Sequence, residues 1–193
     1  MTVMRDQVVK SLVQVEVKAN EDGLMPGFNV LVNQLPTSFW NTVAERFMAI
    51  APPDRKADME KALVNCAYEC GYHTGYGIVS SPEFQSVVMP MVTEGAKDVL
   101  RGAFAVFTAW GWAKSGVVQV RDGERMVIRA VDYYEADSGG SGLRAYMVRG
   151  VSAAFMELAY AEPYPNGMNT FSCEQTLGRE VGDPHGEFVI TKK

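Results

Sequence analysis

The chain is expected to fold as an α+β protein, with a helical layer packed on an antiparallel sheet of about four or five strands. Three observations carry this. Residues 37–112 repeat apolar side chains at helical spacing. From Gly116 the texture turns alternating and β-branched, with Asp122-Gly123 between two such runs, a strong hairpin signal. A long helical stretch, Leu143 to Tyr160, then separates that hairpin from two final strands. The C-terminal half reads β-β-α-β-β, and hairpin-joined strands with helices grouped together imply layered α+β architecture.

Residues 1–36 read as an N-terminal arm or extension to a core over residues 37–193, the whole forming one domain. Val13, Val15 and Val17 alternate with Gln14 and Glu16, which is a strand pattern. Glu21 to Pro36 is rich in turn residues. Thr37 or Ser38 is placed to cap a helix that Pro52-Pro53 stops. Asp54 is placed to cap a longer helix to about Gly77, with Met59, Leu63, Cys66, Cys70, His73 and Gly77 along one face; steps of three and four mark one side of a helix. Ser81-Pro82-Glu83 has the cap, proline and acid of a helix start. Pro90 should interrupt that helix, and the pattern resumes from Met91 to about Trp112. Ser138 to Gly142 reads as a flexible turn. Small residues Gly150, Ser152, Ala153 and Ala154 permit close approach of the following helix to a sheet or another helix. Met168 to Leu177 and Glu187 to Thr191 are the last strands, joined by Gly182-Asp183-Pro184-His185-Gly186, a turn built of residues that favour turns.

Composition narrows the function. The chain has 193 residues, 47% hydrophobic and 21% charged, with net charge −5. That balance suits an ordinary globular protein. A weakly acidic chain without a basic run argues against nucleic acid. Met1 to Lys18 lacks an uninterrupted apolar segment, and Gly102 to Ala113 is too short to span a bilayer, which takes about 20 residues. Cys66, Cys70 and Cys173 make an odd, sparse set, which fits reduced thiols and a cytoplasmic setting.

Two groups of residues suggest chemistry. Cys66, Glu69, Cys70 and His73 share one side of a helix. Cys70 and His73 fit a thiolate–imidazolium pair that Glu69 orients; the same spacing suits a thiophilic metal, and equally a packed core, since free cysteine is commonly buried. The second group is aromatic. Tyr68, Tyr72 and Tyr76 recur on that helix, and Phe104, Phe107, Trp110 and Trp112 crowd a later one. Such residues line pockets for small hydrophobic ligands and also fill cores. Cys66, Tyr72, Phe104, Phe107, Trp110 and Tyr146 are the candidate ligand-lining residues.

With those residues in view, the chain from about residue 60 to 191 resembles the 4-vinyl reductase, or small-molecule-binding, domain family. Ala145 to Tyr160 is similar to that family's glycine-bearing helix. Glu174, Gly182-Asp183-Pro184-His185 and Glu187-Phe188-Val189-Ile190 resemble its tail, of the form E-x-x-C-x-x-x-G-D-P-x-C-x-F-x-V. The resemblance implies a fold similar to small TRAPP trafficking subunits, frequent homodimerisation, and binding of a small hydrophobic or aromatic molecule between helices and sheet. It also implies a tail zinc site in the phenol-sensing members. Here the aligned positions hold Gln175, Gly178 and Gly186, so no metal residue is carried over, and no cofactor is indicated. The tail also resembles that of small thiazoline-carboxylate hydrolases, G-D-x-x-C-D-F without its cysteine. That resemblance implies the alternative, a hydrolase using Cys70, His73 and Glu69.

Overall fold

The computed structural model describes residues 3–137 and 143–193, so the turn expected at Ser138 to Gly142 lies outside the described residues. Helix α1 (Val3–Leu12) leads to a small hairpin, β1 (Met25–Gly27) and β2 (Val30–Val32). Then come α2 (Thr37–Ile50), α3 (Lys56–Ser80), α4 (Pro82–Val87) and α5 (Ala96–Ala109). The second half is β3 (Ala113–Arg121), β4 (Arg125–Tyr133), α6 (Tyr146–Tyr160), β5 (Phe171–Leu177) and β6 (Gly186–Lys192). The four long strands form one antiparallel sheet in the order β3-β4-β6-β5. The expected fold class is the one observed.

The last strand is therefore internal. It pairs Ile128 with Phe188 on one side and Gln175 with Phe188 on the other. Met126, Ile128, Ala130, Phe171, Phe188 and Ile190 point into the core beneath α5 and α6. Alternation along a strand sends the intervening residues, such as Arg129 and Glu174, to the solvent face.

The α-helical half departs from expectation in three places. The N-terminal segment is helix α1 plus a short hairpin, not a strand at Val13 to Val17. Val8 and Leu12 are buried against α4 and α5, while Val13 is 53% exposed. Burial of the one apolar stripe of α1 outweighed the weak β preference of the valines that follow it. Second, α2 and α3 have no side-chain cap; Pro36 and Arg55 occupy those positions. A cap does form where Ser81 Oγ accepts from Phe84 N at 3.1 Å. Third, α5 starts at Ala96, not Met91. A single 3₁₀ turn holds Pro90, and Asp98 then accepts from the backbone N–H groups of Thr93 and Glu94, both at 2.8 Å. Burial opposes ionisation of Asp98, but those N–H groups and Arg101 win and hold its carboxyl at about 2.

The face of α3 that packs is rotated from the expected one. Leu63, Ala67, Gly71, Gly75 and Ile78 are buried, with Tyr68 and Tyr72, whereas Cys66, Cys70 and His73 are exposed. The reason is the partner helix. Helices α3 and α6 approach so closely that glycine is required at the crossing. A Cβ on Gly150 would stand 2.5 Å from Val64 O, 2.6 Å from Ala67 Cβ and 2.6 Å from Tyr68 N. On α3, a Cβ on Gly71 would stand 2.9 Å from Val151 Cα. Small residues win the contact face, and the bulkier thiols and imidazole are turned outward.

Alanine is the better helix former by about 1 kcal/mol, so Gly150→Ala would stabilise an open helix. Here the obstacle is backbone, which cannot swing aside. Gly150→Ala is expected to lower stability by about 3 kcal/mol, measured by urea denaturation, with a smaller loss for Gly71→Ala.

Candidate functional site

The site is built where β4 ends and α6 begins. A 3₁₀ turn, Tyr134–Asp137, follows β4 and presents Glu135 to the first turn of α6. Its carboxylate accepts from Met147 N at 2.8 Å through Oε1 and from Val148 N at 3.0 Å through Oε2. Those N–H groups have no partner inside the helix, and the dipole there favours negative charge. Yet Glu135 is only 3% exposed. Burial drives its pKa up, the α6 N–H groups and the Arg149 charge pull it back, and the balance falls at about 7.

Two tyrosines flank this carboxyl. Tyr146, first residue of α6, donates from its hydroxyl to Trp40 O of α2 at 3.2 Å. Burial, followed by the charge on Glu135, pushes Tyr146 up to about 12. The Tyr134 hydroxyl is buried and interacts with the Tyr146 hydroxyl, short of full hydrogen-bond geometry, a poorly satisfied state for a polar group. Burial, reinforced by Glu135, pushes it far above the ordinary tyrosine range.

An aromatic run leads inward from Tyr134. Its ring meets Trp112 edge-on at 5.8 Å, and Trp112 stacks on Phe107 at 5.9 Å. Phe107 and Phe104 both meet Phe155 of α6 edge-on, at 6.2 and 5.2 Å. This is tightly packed aromatic core, with geometry that aromatic pairs favour. Beside Glu135 lies a cavity of about 10 Å³, lined by Asn41, Ala44, Glu135, Leu143, Arg144 and Tyr146. That is room for a water and no more. On the far side of Arg144 an open groove of about 420 Å³ is lined by Arg144, Arg149, Glu174, Gln175 and Thr176.

The candidate residues are thus divided. Phe104, Phe107 and Tyr146 come together at this site. Trp110 lies in a separate cluster, edge-on to Phe28 at 5.1 Å. Tyr72 lies in a third, where its hydroxyl accepts from Gly167 N at 3.1 Å. Cys66, Glu69, Cys70 and His73 stand on the exposed side of α3. His73 Nδ1 bonds the Tyr164 hydroxyl at 3.0 Å, and Cys70 Sγ faces Thr74 Oγ1 at 3.8 Å. The expected thiol–imidazole pair is not assembled. Among the described residues no group of three or more His, Cys, Asp or Glu is arranged to hold a metal ion.

Glu135, Tyr134, Asn41 and Arg144 were not singled out from the sequence. Only the run Tyr133-Tyr134-Glu135-Ala136 ahead of a helix hinted at Glu135. At Arg144 nothing local distinguishes a site arginine from a surface one.

The C-terminal turn supports the site from below. Gln175 Oε1 accepts from Ala145 N at 2.9 Å, and Gln175 Nε2 donates to Glu180 Oε1 at 2.5 Å. Tyr133 donates to Glu180 Oε2 at 2.5 Å and accepts from Arg179 N at 2.9 Å. Asp183 Oδ2 accepts from Gly178 N at 2.8 Å. A Cβ on Gly178 would press on Gln175 and Glu180 at 2.5 Å, and one on Gly186 on Tyr133 and Phe188 at 2.8 Å. The tail positions Gln175, Gly178 and Gly186 are therefore occupied by a hydrogen-bonded clasp.

No family model matches the chain, and no curated protein matches it. Among solved structures, it is similar to a crystal structure of the phenol-responsive sensory domain of the transcription activator PoxR with phenol. The TM-score is 0.72 at 13% identity, over 100% of this chain and 91% of that one. At that identity the likeness establishes the fold. No helix among the described residues is long and apolar enough to cross a membrane.

The raised Glu135 pKa makes a pH prediction. The folded state holds this proton up to about pH 7, while the unfolded chain releases it near its ordinary value of about 4.3. Its contribution is fully present below that ordinary value and is lost as pH rises through 7. Glu135→Gln cannot ionise, so its stability relative to wild type should increase from pH 5 to pH 8, by up to about 3 kcal/mol. Urea melts of both proteins across that range give the difference directly.

Proposed function

We propose that this chain is a small-molecule-binding domain of the 4-vinyl reductase type. It takes a small hydrophobic or aromatic ligand between α5, α6 and the sheet. The observation that carries the reading is the buried Glu135 carboxyl lining a small cavity with Tyr146, next to an aromatic run that starts at Tyr134. Apolar walls with a few convergent polar groups are what a small-ligand site requires. The free site is nearly closed, so binding displaces side chains at the Tyr146 and Arg144 corner. The similarity to a domain solved with phenol supports the ligand class. The three free thiols favour a reducing, cytoplasmic setting.

Phenol and the cresols are the first probes. A ligand at a hundred times its Kd raises stability by about 2.7 kcal/mol, easily read as a thermal shift. Tyr134→Phe removes a buried hydroxyl whose contact with Tyr146 falls short of full hydrogen-bond geometry, so its stability should stay within about 1 kcal/mol of wild type. Its phenol affinity should fall about tenfold. Unchanged affinity in that variant removes Tyr134 from the site, and no shift with any aromatic ligand sinks the binding reading.

The domain acts as a homodimer in this account. Helix α2 buries only Ala44, while Phe39, Phe47 and Ile50 are 45%, 45% and 74% exposed. An apolar helix face left in solvent at this scale marks an interaction surface. Sedimentation of the wild type should give twice the 21.2 kDa chain mass, and Phe47→Glu should return it to one chain. A wild type that sediments as a single chain at tens of micromolar contradicts the dimer; that concentration is roughly where a stable interface is saturated.

A further inference from the structure

We infer that the ligand this site selects is an aryl carboxylate carrying a ring hydroxyl, with Arg144 reading the carboxylate; this rests on the small-aromatic reading above. Arg144 borders both spaces at the site, the small cavity beside Glu135 and Tyr146 and the open groove outside. No other described residue lines both. A molecule lying across this corner presents one end to Glu135 and Tyr146 and the other to Arg144.

The charge state of Arg144 is what singles it out. It is half-buried, yet its hydrogen bond is to a neutral backbone oxygen, Gln175 O, through Nη1 at 2.6 Å. Among the described residues it makes no salt bridge. Its neighbour Arg149 differs: Nη2 meets Glu60 Oε1 at 2.5 Å and Nε donates to Ala145 O at 2.9 Å. A guanidinium that faces an open groove without a carboxylate in contact is placed to take one from a ligand. Its free Nε and Nη2 form an edge that matches a carboxylate in two-point contact.

The surrounding groups fix the polarity of the ligand. Glu174 lies in the same groove, exposed, and disfavours a second negative charge at that end. At the inner end the buried Glu135 carboxyl disfavours an anion, and the Tyr146 hydroxyl lines the same cavity. A neutral hydroxyl therefore belongs inward and the carboxylate outward. The groove is open and its lining is polar, Arg144, Arg149, Glu174, Gln175 and Thr176, which suits a charged end that stays in contact with water. The inner cavity admits the ring only as Tyr146 and Leu143 give way.

The test is calorimetric titration of the full chain with phenol, 4-hydroxybenzoate and 4-hydroxybenzamide. The acid should bind at least roughly tenfold more tightly than its uncharged amide isostere or phenol, the scale of one charge-assisted pair. In Arg144→Gln, acid and amide should bind alike, while Arg144→Lys should restore part of the preference. The wild-type comparison needs no variant, and far-ultraviolet circular dichroism checks that the variants fold. Phenol binding as well as or better than the acid overturns the inference and leaves the small-aromatic reading standing. A preference for the acid that survives in Arg144→Gln overturns the assignment of Arg144. If none of the three binds, both readings fall together.

Discussion

The tie between Glu135 and the N-terminus of α6 is the interaction on which the site depends. One carboxyl joins the end of β4 to two backbone N–H groups of the helix that covers the sheet. It sets where α6 starts, and hence where Tyr146 and Arg144 stand. The tie is also expensive, since the carboxyl is nearly inaccessible to water. Helix dipole and N–H donors compensate part of that cost. The remainder leaves a group whose charge changes near neutrality, a property that functional sites use more often than structural ones.

Around that tie the molecule places rigid and yielding parts differently. The α3–α6 crossing is held by glycine-to-backbone contact, which has no slack. The tail clasp around Gln175, Glu180 and Tyr133 fixes β5 against the start of α6. Between them the Glu135 corner contains a small void and the Arg144 guanidinium, which is hydrogen-bonded to the neutral Gln175 O. At this corner a void lies against both a buried carboxyl and a guanidinium, the convergent polar groups a small-ligand site requires.

Much of the fold was legible in the sequence. The Asp122-Gly123 hairpin, the α6 stripe of Ala145, Val148, Val151, Ser152 and Phe155, and the final two strands all form. Periodicity and turn chemistry are local, so they survive without knowledge of packing partners. The site was less legible for the same reason. Cys66, Cys70 and His73 share a helix side, but which side is buried was decided by Gly150 on a distant segment. Glu135 acquires its character only from α6 packing over it. Phe104, Phe107 and Trp110 crowd one stretch of chain, yet helix rotation sends Trp110 to Phe28 and the other two to Phe155.

The most direct test of the central claim is the carboxyl carbon-13 resonance of Glu135, assigned by Glu135→Gln and followed by NMR across pH with and without phenol. The account predicts a midpoint near 7 in the free protein and a displaced resonance and midpoint once phenol is bound. Titration in the ordinary range for glutamate, about 4, with no response to phenol at saturation, would contradict it.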